Sequence, residues 1–88
     1  MSKTLPPRYE LLTRHGCHLC DEMASLLDRV FAEGGLTYAC VNVDRSPTLR
    51  ERWGETVPVL LRDGRAVAKV RLTEEALRRI LHRRRPGP

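Results

Sequence analysis

Long apolar runs are missing from this 88-residue sequence. No segment approaches the roughly 18 consecutive apolar residues needed to cross a bilayer, and Met1 to Tyr9 carries Lys3 and Arg8 without the apolar stretch of a secretory leader. The sequence therefore reads as cytosolic, with no membrane partner. Cysteine is scarce as well: three are present, an odd number that in a cytosolic chain argues against a framework of structural disulfides and for catalytic or metal chemistry. Aromatic residues make up 5% of the chain, and none is interleaved with the basic residues of the closing run R-R-I-L-H-R-R-R-P-G-P. That run reads as a solvated tail, and nucleic acid is not an expected partner.

What the chain does have is charge. Charged residues are 31% and hydrophobic residues 41% of the total, with sixteen Lys and Arg against eleven Asp and Glu for a net charge of +5. Such a composition suits one small, highly soluble domain with a modest core. Residues 1–7, ended by Pro6 and Pro7, read as a flexible leader, residues 8–82 as the domain, and residues 83–88 as a basic, disordered tail.

Within the domain, Y-E-L-L-T from Tyr9 to Thr13 reads as a first strand. From Cys17 onward Leu19, Met23, Leu26, Leu27, Val30 and Phe31 recur at helical spacing, and Gly34 and Gly35 stand where a helix ends. L-T-Y-A-C-V-N-V-D, Leu36 to Asp44, alternates as a second strand with Ala39, Val41 and Val43 on one face. A strand, a helix and a strand make a βαβ unit, so these two strands should be parallel. Ser46 and Pro47 open a short second helix through Leu49 and Trp53, ended by Gly54. V-P-V-L-L (Val57 to Leu61) and A-V-A-K-V (Ala66 to Val70) flank R-D-G-R, whose Asp-Gly pair signals a tight hairpin. Thr73 caps a last helix with Glu74 and Glu75 in its first turn and Leu72, Ala76, Leu77, Ile80 and Leu81 on its apolar side. The order is β-α-β-α-β-β-α.

At the junction of the first strand and first helix stands H-G-C-H-L-C-D-E. Unpaired amide groups and the helix dipole at that point favour a thiolate at Cys17, well below the ordinary thiol pKa of about 8.5. Cys20, one turn further in, is the less exposed thiol and is placed to attack a mixed disulfide held by Cys17. Two other readings of the same pair exist. It could hold Cu(I) or, with His15 or His18, zinc, although a second ligand pair for a closed zinc site is lacking and no metal is expected. It could also be the relic of a non-catalytic interaction domain.

The segments L-L-T-R-H-G-C-H-L-C-D, V-N-V-D, T-V-P at Thr56 to Pro58, and the D-G hairpin together resemble the thioredoxin-fold superfamily, close to the bacterial glutaredoxin-like proteins. The resemblance covers Arg8 to about His82. It implies a thioredoxin-like α/β fold with a four-stranded mixed sheet flanked by helices, and a cytosolic dithiol thiol–disulfide oxidoreductase with Cys17 as attacking and Cys20 as resolving thiol. It also implies that Val57 meets the substrate through its backbone beside a cis Pro58, and that Arg14 meets the glycine carboxylate of glutathione. No organic cofactor is required. The substrate would be a protein or small-molecule disulfide, and the reductant glutathione, as co-substrate, or a thioredoxin-reductase-like system. One departure stands out. Where glutaredoxins enter the last helix with Gly-Gly and then Asp, this chain reads K-V-R-L-T-E-E from Lys69 to Glu75, so glutathione is expected to bind weakly, repelled by Glu74 and Glu75 and kept off by side chains.

Three further residues carry expectations. His18, when protonated, would stabilise the Cys17 thiolate. Cys40, on the order of 10 Å from the active edge, should be a packed small hydrophobe, and Trp53 a cover over the core.

Overall fold

The computed structural model describes residues 8–83. The expected leader over residues 1–7 and the tail from Arg84 onward lie outside the described residues. Four strands and three helices follow in the order β1 (Tyr9–Thr13), α1 (His18–Gly34), β2 (Ala39–Asn42), α2 (Pro47–Trp53), β3 (Val59–Arg62), β4 (Arg65–Lys69) and α3 (Glu74–His82). The sheet order is β2-β1-β3-β4, with β1 and β2 parallel and both other pairs antiparallel. This is the mixed thioredoxin-like arrangement that the element order implied.

Because β1 is covered on both faces, its adjacent leucines each find a core. Leu11 packs with Leu60 against Met23, Leu27, Val30 and Phe31 of α1 and Leu77 of α3. Leu12 packs on the other face with Val43, Val59 and Leu61, where Leu49, Trp53 and Val57 close over them. Trp53 is thus the core cover that its spacing suggested. Leu11, Leu27, Leu60 and Leu77 are fully buried, and each such side chain contributes about 1.5–3 kcal/mol.

Local chemistry sets the element ends. Gly35 closes α1 in the left-handed conformation, φ 67°, while the Leu36 amide donates back to Phe31, a Schellman-type ending. Thr73 Oγ1 accepts from the Ala76 amide and so caps α3, as Ser46 Oγ caps α2. Asp63 and Gly64 both take positive φ in the β3–β4 turn, the conformation that Asp-Gly supplies.

Three boundaries differ from the sequence pattern. β2 is four residues rather than nine, because Asn42 Oδ1 accepts from the Asp44 amide and Val43–Arg45 folds into a 3-10 turn. β3 begins at Val59 rather than Val57, since Pro58 has no amide to give a ladder. β4 covers Arg65–Lys69, because Val70 leaves the strand for a turn described below.

Candidate functional site

Gly16, at φ 74°, turns the chain from β1 into α1, a backbone state open to glycine at little cost. That turn makes Cys17 the N-cap of α1, with extended backbone and its Sγ accepting the Cys20 amide at 3.1 Å. Cys17 and Cys20 form a disulfide with Cα atoms 5.2 Å apart. The two sulfurs differ in access: Cys17 is partly exposed, whereas Cys20 is 2% exposed and joins the buried side of the helix. An anion at Cys17 would meet the unpaired amides and positive end of a seventeen-residue helix. Asp21 and Glu22 are exposed in the same turn. His18 points to solvent, its side chain 85% exposed, and its Nε2 meets Glu22 Oε2 at 3.0 Å. His15 is exposed in the loop.

The β1–β3 register pairs Leu12 with Val59, so one step further it brings Pro58 beside Thr13, at the sheet end from which the Cys17 loop departs. The Val57–Pro58 peptide bond is cis. Pro58 is buried, Val57 is half-buried, and the Pro58 carbonyl accepts the Val70 amide at 2.7 Å.

That bond anchors an unusual turn. The Arg71 amide donates to the Lys69 carbonyl at 2.7 Å across Val70, whose φ is 64°. This is a γ-turn with a positive central φ, rare for any residue and strained for a β-branched one. Val70 is the one large hydrophobic residue classed as exposed among the described residues. Together with Leu19, Met23, Leu26 and Leu72 it lines a cavity of about 340 Å³ between α1 and the β4–α3 turn. Glu74 at its rim is held by Arg29 (2.7 Å) and Arg78 (2.8 Å), and Glu75 by Arg79. Hydrogen bonds from Arg29 and then Arg78 keep the Glu74 carboxyl below the ordinary carboxylate range. The expected repulsion by these two glutamates is therefore corrected: both carboxylates are matched by guanidinium groups, and what crowds the entry to α3 is Val70 and Arg71.

Arg14 sits three residues before Cys17 with its guanidinium already engaged. Nε and Nη2 reach Asp44 Oδ2 and Oδ1 at 3.2 and 3.0 Å, and Nη1 reaches the Gly54 carbonyl at 3.1 Å. The contact ties the Cys17 loop to the end of β2 and the end of α2. Nothing in the local sequence signals it, because the partners are 30 and 40 positions away.

The family model described as "Glutaredoxin-like domain (DUF836)" matches residues 8–82. The chain belongs to this glutaredoxin-like family. Uncharacterized proteins of Mycobacterium tuberculosis and Mycobacterium bovis are each 36% identical to it over 77 residues, covering 82% of this chain and 79% of theirs. A crystal structure of a Xanthomonas campestris (X. campestris) protein is similar at 30% identity and TM-score 0.72, covering 83% of this chain and 93% of that one. A Nitrosomonas europaea protein solved by NMR aligns at 23% identity and TM-score 0.75, covering 92% and 98%. Thioredoxin of Fasciola hepatica aligns at 20% identity and TM-score 0.56, covering 85% and 77%. These last two likenesses speak to the fold alone.

The third cysteine of this glutaredoxin-like chain departs from expectation. Cys40 is not packed but exposed, on the edge strand β2 of the sheet. Its Sγ lies 3.8 Å from Thr13 Oγ1. Nearby, Tyr38 donates to Asp28 Oδ1 at 2.7 Å, and burial followed by that bond pushes its phenol above the usual range. Among the described residues, no three His, Cys, Asp or Glu side chains converge as a metal site, and no helix is long and apolar enough to cross a membrane.

Proposed function

We propose that this protein is a dithiol thiol–disulfide oxidoreductase of the cytosol. The observation that carries the reading is the asymmetry of the pair, an accessible Cys17 sulfur at a helix N-cap beside an amide donor and a buried Cys20 sulfur one turn behind it. In the reduced protein the Cys17 thiolate attacks one sulfur of a substrate disulfide, the substrate S–S bond breaks, and the departing thiolate takes a proton from water. Cys20 then loses its proton and attacks Cys17 Sγ, which breaks the mixed disulfide and releases the second substrate thiol. The substrate gains two electrons and the protein is left with the Cys17–Cys20 disulfide.

Val57 offers its backbone to the substrate beside Pro58, as the family resemblance implies. No organic cofactor is needed; the electrons return from glutathione or from a thioredoxin-reductase-like system. Use of glutathione is weak in this reading, because Arg14 is held by Asp44 and Gly54 and the segment Lys69 to Glu75 lacks the Gly-Gly with which glutaredoxins enter the last helix. His18 modulates little, being turned to solvent against Glu22. The cytosolic setting is supported by an odd cysteine left unpaired at Cys40. Equilibration in glutathione buffers of graded ratio, followed by alkylation and mass measurement, tests the function. A reversible two-electron transition confined to Cys17 and Cys20 is expected; a pair that stays fixed in one state across the series sinks the proposal.

A further inference from the structure

Among the described residues, the charged side chains are not all matched in the same way. Around α1 and α3 acids and bases cancel: Arg29, Arg78 and Arg79 are matched by Glu33, Glu74 and Glu75. Beside the Val57–Pro58 loop two cations gather on one ring instead, with Glu51 and Glu55 exposed in the same stretch of chain. Trp53, half-buried on the core face of α2, carries the Arg52 guanidinium 4.9 Å and the Lys69 ammonium 5.5 Å from its ring centroid. Among the described residues neither cation has a carboxylate within ion-pair distance, whereas Arg29, Arg78 and Arg79 on the opposite flank do.

Two like charges gathered on one aromatic ring repel each other, and a nearby anion relieves that repulsion. The ring also limits their motion, so less side-chain freedom is lost when an anion binds.

The position of this cluster is fixed relative to the thiols. The Thr56 amide donates to the Trp53 carbonyl at 2.8 Å, and Lys69 is paired in register with Val59. The Gly54 carbonyl, one residue past Trp53, is bonded to Arg14 in the Cys17 loop. Chain length alone keeps Trp53 within about 14 Å of Val57. A protein strand lying against Val57 therefore passes within reach of Arg52, Trp53 and Lys69, since Trp53 and Val57 close over the same core cluster and Lys69 is paired with Val59.

We infer that Arg52, Trp53 and Lys69 form a docking surface for an acidic segment of a protein disulfide substrate, selecting substrates with Asp or Glu a few residues from the reacting cysteine. The inference rests on the oxidoreductase reading for its substrate but not for its measurement, since Trp53 is the only tryptophan in the chain and its fluorescence reports occupancy directly.

The test titrates the full-length oxidised protein with two cysteine-free peptides of equal length, one carrying Asp and Glu and the other Lys and Arg. The acidic peptide should change Trp53 emission saturably, with an affinity roughly tenfold above that of the basic one, and the difference should shrink in high salt. Arg52→Gln with Lys69→Gln should erase the difference, whereas Arg65→Gln, which removes a cation at the far end of β4, should preserve it. Peptide disulfides of the same two charge types are then compared in exchange. Discrimination by fluorescence without any exchange would count against the oxidoreductase reading and leave the docking surface standing. Equal response to both peptides, a preference that survives loss of Arg52 and Lys69, or displacement of the acidic peptide by a short oligonucleotide at lower concentration would overturn the inference.

Discussion

Arg14 grips Asp44 with two guanidinium nitrogens, at 3.2 and 3.0 Å, across 30 positions of sequence. Both side chains are more than a third exposed, so solvent screening limits their direct attraction, and the pair plus the Gly54 bond should contribute about 1 kcal/mol. Arg14→Ala is expected to lower the unfolding midpoint by roughly 4–8 °C, the usual equivalent of that energy in a domain of this size. Asp44→Asn should do nearly the same, and the double variant should fall well short of the sum. Thermal unfolding followed by circular dichroism gives all three values. Additive losses would show that the two residues act separately.

The same pair shows where the sequence was legible and where it was not. The Cys17-x-x-Cys20 step, the Ser46 and Thr73 caps and the Asp63-Gly64 turn are local: each needs only a few neighbouring residues to fix its geometry, and each formed as its residues require. Arg14 was read as a ligand group from its place three residues before Cys17, and its bonds to Asp44 and Gly54 were not legible because those partners lie far along the chain. Cys40 was read as buried because alternation says which face a residue takes but not whether its strand is central or at the edge. Val70 looked like the end of a strand, since nothing in A-V-A-K-V announces a positive φ at a β-branched residue; only the bond to the Pro58 carbonyl selects it.

Assigning attack to Cys17 and resolution to Cys20 leads to unequal behaviour of the two single variants. Cys20→Ser should accumulate a mixed disulfide through Cys17 when mixed with a disulfide substrate, and Cys17→Ser should accumulate far less, because the Cys20 sulfur is buried. In Cys20→Ser, alkylation of Cys17 should keep its rate to pH values well below the ordinary thiol pKa of about 8.5. Cys40 is exposed, so each variant also carries Cys40→Ser to remove its background. Intact-mass spectra would refute the assignment by showing equal trapping in both variants.

The Glu74 contacts predict an acid-sensitive increment of stability. Its carboxyl is held below the ordinary range by Arg29 and Arg78, so the folded protein releases this proton more readily than the unfolded chain does. The increment is present above the ordinary carboxylate pKa and disappears as pH falls through the lowered value. Glu74→Gln should consequently be less stable than the parent near neutral pH, with the gap closing on acidification. Unfolding midpoints measured from neutral to strongly acidic pH would contradict this by showing a constant gap.

In the proposed reading, weak use of glutathione is tied to Val70. Glycine adopts its φ of 64° freely, whereas a β-branched residue in the left-handed region is disfavoured by roughly 1–2 kcal/mol. Because the side chain is exposed, Val70→Gly gives up little packing, and part of the relief is offset by the greater freedom of glycine in the unfolded chain. A net gain of about 1 kcal/mol in stability is expected. The same change, combined with Arg71→Gly, clears the entry to α3 for close approach of a ligand backbone, so the glutathione-coupled reduction of a mixed disulfide should start slow in the parent and rise several-fold in the double variant. Glu74→Gln and Glu75→Gln should raise it little, because their charges are already matched by Arg29, Arg78 and Arg79. A parent that reduces glutathione mixed disulfides efficiently, with no gain from the two glycines, would mean that Val70 and Arg71 do not obstruct the ligand and that the γ-turn serves the fold alone.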